Sequence, residues 1–128
     1  MKEGDIVTYG ELFDEALGIL EYDGREGRET FGPPIINSVL AELFEINNRL
    51  RVLAGKTPLS EIPKCGDFSS EIPYEEEILR RDMVLGTVCR LAADEEDASL
   101  HNFYSAEYEL AKRNHRDRDI FTIEDFYR

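Results

Sequence analysis

Apolar residues recur at helical spacing in four stretches of this chain, separated by polar breaks. Thr8 and Glu11 stand three apart, as in a capping box, and Tyr9, Leu12, Phe13, Ala16, Leu17 and Leu20 then share one helical face. The pattern breaks near Tyr22, before Asp23-Gly24-Arg25-Glu26-Gly27-Arg28, where paired glycines and mixed charge predict a mobile loop. Pro33 and Pro34 suit the first turn of a second helix. Its stripe is Ile36, Val39, Leu40, Leu43, Ile46, Leu50 and Leu53, and Gly55 suits its C-terminal cap. From 56 to 71 the chain reads KTPLSEIPKCGDFSSE, rich in turn residues and without helical period. That predicts a long loop or a short hairpin, and such long loops often belong to binding surfaces.

Residues 74–112 read YEEEILRRDMVLGTVCRLAADEEDASLHNFYSAEYELAK. Pro73 opens a third helix, Asp97 caps a fourth, and the acidic break between them is too short for anything but an antiparallel hairpin. This hairpin is the expected centre of the domain. Leu100, Phe103, Tyr104, Tyr108 and Ala111 supply the fourth helix's buried side, while Gly86, Ala92 and Ala93 let a neighbour approach the third closely. After Asn114 comes HRDRDIFTIEDFYR. Its Ile120, Phe121, Ile123, Phe126 and Tyr127 are too apolar for a free tail, and alternation around Thr122 hints at a strand. Either this arm packs on its own domain, or it docks on a neighbouring subunit or partner. The fold expected is all-α: one domain over 1–128, about four helices with a core at 8–114, a long middle loop, and an extended C-terminal arm over 115–128.

A chain of 128 residues makes one domain, large enough to bury roughly two thirds of its unfolded surface. No stretch approaches the roughly 20 apolar residues of a membrane span. MKEGDIVTYG carries no apolar signal core, so export is not expected. Cys65 and Cys89 have no spacing motif and read as free thiols in a reducing cytoplasm. The net charge of −13 disfavours direct binding to DNA or RNA. It leaves a well-solvated surface, or a DNA mimic built for a basic partner.

The candidate chemistry is acidic. Glu42 and Glu45 form an ExxE pair like those that hold magnesium in helical nucleotide pyrophosphatases, but a second such pair is needed on a facing helix. Glu61 is followed three residues later by Lys64, and Glu71 by Tyr74. Glu75, Glu76 and Glu77 suit a helix start, and the run from Asp94 through Glu95 and Glu96 to Asp97 lies at a helix junction. His101, near the start of the fourth helix, and His115, just beyond its end, lack partners at zinc spacing. A Cys89–His101 nucleophile pair requires adjacency that sequence does not give, and Cys89 reads as a buried inert thiol. Asp82 interrupts an apolar run, so it is either partly exposed or paired with a cation, with Arg49, Arg51 and Arg113 as candidates. No phosphate loop, GxSxG or HExxH is present. The reading names no catalytic residue, no metal ligand and no cofactor.

Three segments carry a family resemblance. They are Ile36-Asn37-Ser38-Val39-Leu40-Ala41-Glu42-Leu43, then Leu85-Gly86-Thr87-Val88-Cys89-Arg90-Leu91-Ala92-Ala93-Asp94, then Asn102-Phe103-Tyr104 with Glu107-Tyr108-Glu109-Leu110-Ala111. Together, over about 35–112, they resemble the small head-to-tail adaptor (connector) proteins of tailed bacteriophages; 23–28 and 56–71 have no counterpart. The resemblance implies a non-catalytic virion protein that assembles in the host bacterial cytoplasm. It would form a homo-oligomeric ring beneath the portal and contact tail or stopper proteins, with a monomer compatible with the free state. Two other classes compete: an acidic cytoplasmic regulatory or inhibitory protein, and a helical magnesium-dependent nucleotide hydrolase.

Overall fold

A computed structural model describes residues 7–126, with 117–126 described by backbone alone. Helix α1 (Tyr9–Ile19) starts on the expected capping box. The Thr8 hydroxyl accepts the Glu11 N–H at 3.1 Å, and the Glu11 carboxylate accepts the Thr8 N–H at 3.0 Å. Helix α2 (Gly32–Leu53) carries its prolines in the first turn and ends before Gly55, whose φ of +82° is the left-handed geometry that glycine tolerates. Helix α3 (Met83–Asp94) is preceded by a π-helical turn, Ile78–Asp82, in which the Met83 N–H reaches back to the Ile78 carbonyl. Helix α4 (Ala98–Phe126) begins at Asp97, whose carboxylate accepts the Leu100 N–H at 3.2 Å. The fold is a small all-α bundle of these four helices.

α3 is the centre, touching each of the other three helices. The pairs Cys89–His101, Gly86–Tyr108 and Asp82–His115 run in opposite chain directions, so α3 and α4 form the expected antiparallel hairpin. At Gly86 a Cβ would lie 2.7 Å from Val39 and 2.8 Å from the Tyr108 ring, so only glycine lets α2 and α4 come so close. Ala92 is fully buried as expected, while Ala93 is exposed.

Several expectations are corrected. The chain does not leave its last helix at Asn114: α4 continues to Phe126. Neither glycine nor proline interrupts the sequence after Asp97, so no residue forces a helix stop. Ile120, Phe121, Ile123 and Phe126 of the anticipated extended arm therefore stand on the last helical turns, and Tyr127 lies outside the described residues. His115 is inside α4 and buried. Helical backbone begins at Glu76 rather than at Pro73, because Tyr74 is used to cross the bundle, its hydroxyl donating to the Leu40 carbonyl. Leu53 is half-exposed, since the chain turns back after it instead of covering the end of α2. Phe103 is 58% exposed, with Leu100, Tyr104, Tyr108 and Ala111 filling the face toward the bundle.

The 56–71 segment is a loop, joined to the start of α1 by a bridge between Thr8 and Glu71 and by the Tyr9 and Gly10 N–H groups, which donate to the Ser70 and Phe68 carbonyls at 3.0 and 2.8 Å. Asparagines on α2 hold it. Asn48 accepts the Leu59 N–H at 2.8 Å and donates to its carbonyl at 3.1 Å, and Asn37 accepts the Cys65 N–H at 2.7 Å. Phe68 stacks on Phe13 with ring centroids 5.5 Å apart. The 23–28 loop, expected to be mobile, is fastened by its own charges. Arg25 binds Asp14 at 2.8 Å and lies over the Phe68 ring, and Arg28 binds Glu95 at 2.9 Å. Among the described residues no helix is long and apolar enough to cross a membrane.

Candidate functional site

Ile35, Ser38 and Glu42 follow helical spacing along the first half of α2, and His101, Ser105 and Tyr108 do so along α4. With the last turns of α3 they line an open groove of about 580 Å³. Its floor is apolar, from Phe31, Pro34 and Ile35, and its walls are polar.

The walls are organised by Glu42. Its carboxylate accepts from Arg90 at 2.7 Å and from the Tyr108 hydroxyl at 2.8 Å. Lys112, itself buried, stands 3.9 Å from Glu42 and 3.0 Å from Glu109, and its ammonium lies 4.3 Å from the Tyr108 ring centroid. Burial alone would raise the Glu42 carboxyl, but the hydrogen bonds from Arg90 and Tyr108, with the Arg90 and Lys112 charges, hold it below the usual carboxylate range. The Tyr108 phenol is pushed well above its ordinary value, first by burial and then by its bond to Glu42. This part of the network is therefore an ionised carboxylate clamped by two cations and a neutral phenol. The Arg90 Nε is buried without a hydrogen-bond partner among the described residues.

Cys89 and His101 do come together, with Sγ and Nδ1 3.5 Å apart. The same Nδ1 is 2.9 Å from the Cys89 carbonyl oxygen. A carbonyl only accepts, so Nδ1 carries the proton and has no lone pair with which to take one from the thiol. Burial also pushes the Cys89 thiol up, away from the reactive thiolate. The geometry describes a packed thiol beside a histidine that bonds to backbone.

The acidic candidates disperse. Glu45 is exposed and outside the Glu42 network, Glu75 binds Arg51 and Lys56, Glu76 binds Arg80, and Glu95 binds Arg28. Among the described residues no three His, Cys, Asp or Glu side chains gather at metal-holding distance. Asp82 is fully buried, and its partner is none of the three arginines considered but His115, at 3.1 Å, with Arg81 at 4.0 Å. Arg51 is committed to Glu75 and the Thr57 carbonyl, and the extension of α4 brings His115 to Asp82. Burial raises the Asp82 carboxyl against the opposing pull of His115.

Sequence reading missed the Glu42, Arg90, Tyr108 and Lys112 assembly. Its one local trace is the Tyr108–Lys112 spacing of four, which places an aromatic ring and a cation on one face. A second surface feature lies on α4 itself: Phe103 and Leu110, 58% and 48% exposed and seven residues apart, on the side turned from the bundle. No protein-family model, curated protein or solved structure matches this chain.

Proposed function

We propose that this protein is a structural assembly component, a head-to-tail adaptor that binds a phage portal and joins its neighbours in a ring, without catalysis. The observation that supports it most is the meeting at Gly86. The three segments that resemble the adaptor family belong to α2, α3 and α4, and they pack on one another there, with Val39 and Tyr108 both against the glycine. The likeness thus falls on one packed unit and not on scattered surface residues. Exposed Phe103 and Leu110 give α4 an outward apolar pair suited to protein contact. Glu42, Arg90 and Tyr108 in the groove engage one another, and His101 cannot serve as a base for Cys89 through Nδ1. The free subunit would stay apart from its copies through its charge of −13 until the portal gathers them.

Co-sedimentation of the full-length chain with the portal ring encoded at the same locus tests this. The expected result is stoichiometric binding, weakened by Phe103→Asp, a surface change that leaves the helical circular dichroism intact. Absence of binding at low salt refutes the adaptor reading.

A further inference from the structure

We infer that the groove between α2, α3 and α4 receives a segment of a partner protein that sets a lysine or arginine beside an apolar anchor. This rests on the assembly reading above and adds the chemistry of the partner. The floor supplies the apolar half of the match. Phe31 and Ile35 pack against the core and stay partly exposed, and Pro34 is exposed beside them. A volume of about 580 Å³ is within the roughly 300–1,000 Å³ of ordinary ligand sites and suits a few side chains of a docked segment.

The walls supply the charge. Glu42, Asp94 and Glu109 line the groove against the single guanidinium of Arg90. Arg90 is held by Glu42 at 2.7 Å, and Glu109 shares Lys112 at 3.0 Å. Asp94 makes no ion pair among the described residues; it is exposed and is the last residue of α3, where the helix dipole adds negative potential. A cation entering here meets a carboxylate that no other cation occupies. An anion would meet three carboxylates and a guanidinium already neutralised.

The same charge logic argues against a second copy of this chain's own C-terminus as the occupant. Residues 119–128 carry Asp119, Glu124 and Asp125 against Arg128, so they are acidic like the groove. The occupant we infer is therefore a basic segment of another protein.

A random dodecapeptide library displayed on yeast, selected against the full-length protein, tests this. Enriched peptides should carry Lys or Arg next to a large apolar residue. Ala93→Trp, at an exposed position lining the groove, should abolish their binding. Asp94→Lys should weaken it about tenfold, the lower end for a close charge pair. Glu45→Lys, the same charge change outside the groove, should leave it unchanged, and circular dichroism verifies the fold of each variant. The inference is overturned if nothing is enriched, if the enriched peptides lack basic residues, or if Ala93→Trp and Asp94→Lys leave binding intact. Equal weakening by Glu45→Lys overturns it too, since bulk charge would then explain the binding. Portal binding without such peptides would sink the groove inference alone; groove-bound peptides without portal binding would sink the adaptor reading alone.

Discussion

Adding one methyl group at Gly86 tests the packing on which the bundle depends. A Cβ there would stand 2.7 Å from Val39 Cγ1 and 2.8 and 2.9 Å from two Tyr108 ring atoms. Ordinary carbon contacts are about 3.5–4.0 Å, so something must move by several tenths of an ångström. Neither neighbour gives easily. Val39 is fully buried on α2, where a β-branched side chain has essentially one χ1 choice. Tyr108 is 3% exposed and fixed at its far end by the bond to Glu42. Overpacking of this kind costs about 1–3 kcal/mol. The better helix propensity of alanine returns about 1 kcal/mol. If Tyr108 swings away, its charge-assisted bond is lost as well, worth about 1.5 kcal/mol at the weaker end because Glu42 is 37% exposed.

Gly86→Ala should therefore destabilise by about 2 kcal/mol, a fall in Tm on the order of 8 °C for a domain of this size. Urea and thermal denaturation followed by circular dichroism measure it. A double-mutant cycle locates the strain: in a Tyr108→Ala background α3 can shift into the vacated space, so Gly86→Ala should lose most of its cost. An unchanged or raised Tm in the single variant would refute the close approach. Equal costs in both backgrounds would show that Tyr108 is not what the methyl group meets.

Three further outcomes are expected. Burial raises the folded carboxyl of Asp82, so its contribution to stability is whole below the unfolded value, about pH 3.9, and is lost as pH rises through the higher folded value. Asp82→Asn should then melt higher than the parent at pH 7, with the gap closing toward pH 4; a variant that melts lower at pH 7 would mean that His115 outweighs burial. Asn48→Ala removes both hydrogen bonds to Leu59 and should cost about 2 kcal/mol, with faster amide exchange confined to 56–71; unchanged exchange there would mean the loop is held elsewhere. Removal of 119–128 should leave a helical domain that no longer co-sediments with the portal, whereas loss of the cooperative melt would make the end of α4 part of the core.

What the sequence revealed and what it hid divide by range. The capping box at Thr8, the prolines opening α2, the Gly55 cap and the Asp97 cap are local chemistry, and each falls where the residues placed it. The close approach at Gly86 was also legible, since a glycine in an apolar helix has few other uses. The π turn left a trace that went unread: Ile78 and Met83, then Leu79 and Val84, repeat at five residues, the spacing of π and not α hydrogen bonding. The long-range polar contacts were not legible. Tyr108 meets Glu42 across 66 positions and His115 meets Asp82 across 33, and no periodicity encodes which buried polar side chain finds which. The error at Asn114 has the same origin: a run of Arg and Asp looked like a break, and only the partner Asp82 reveals His115 as an inward position.

These contacts bear on how the groove would work. Glu42, Arg90 and Tyr108 join its three walls by direct bonds, and Tyr108 is also the residue packed against Gly86. Phe31 and Ile35 are held by the core beneath them. The site is thus preformed, and a docking segment would spend little of its binding energy on ordering the protein. It follows that Tyr108→Phe, which keeps the ring and removes its tie to Glu42, should weaken groove binding more than it lowers Tm. An equal effect on both would mean that the network serves the fold alone.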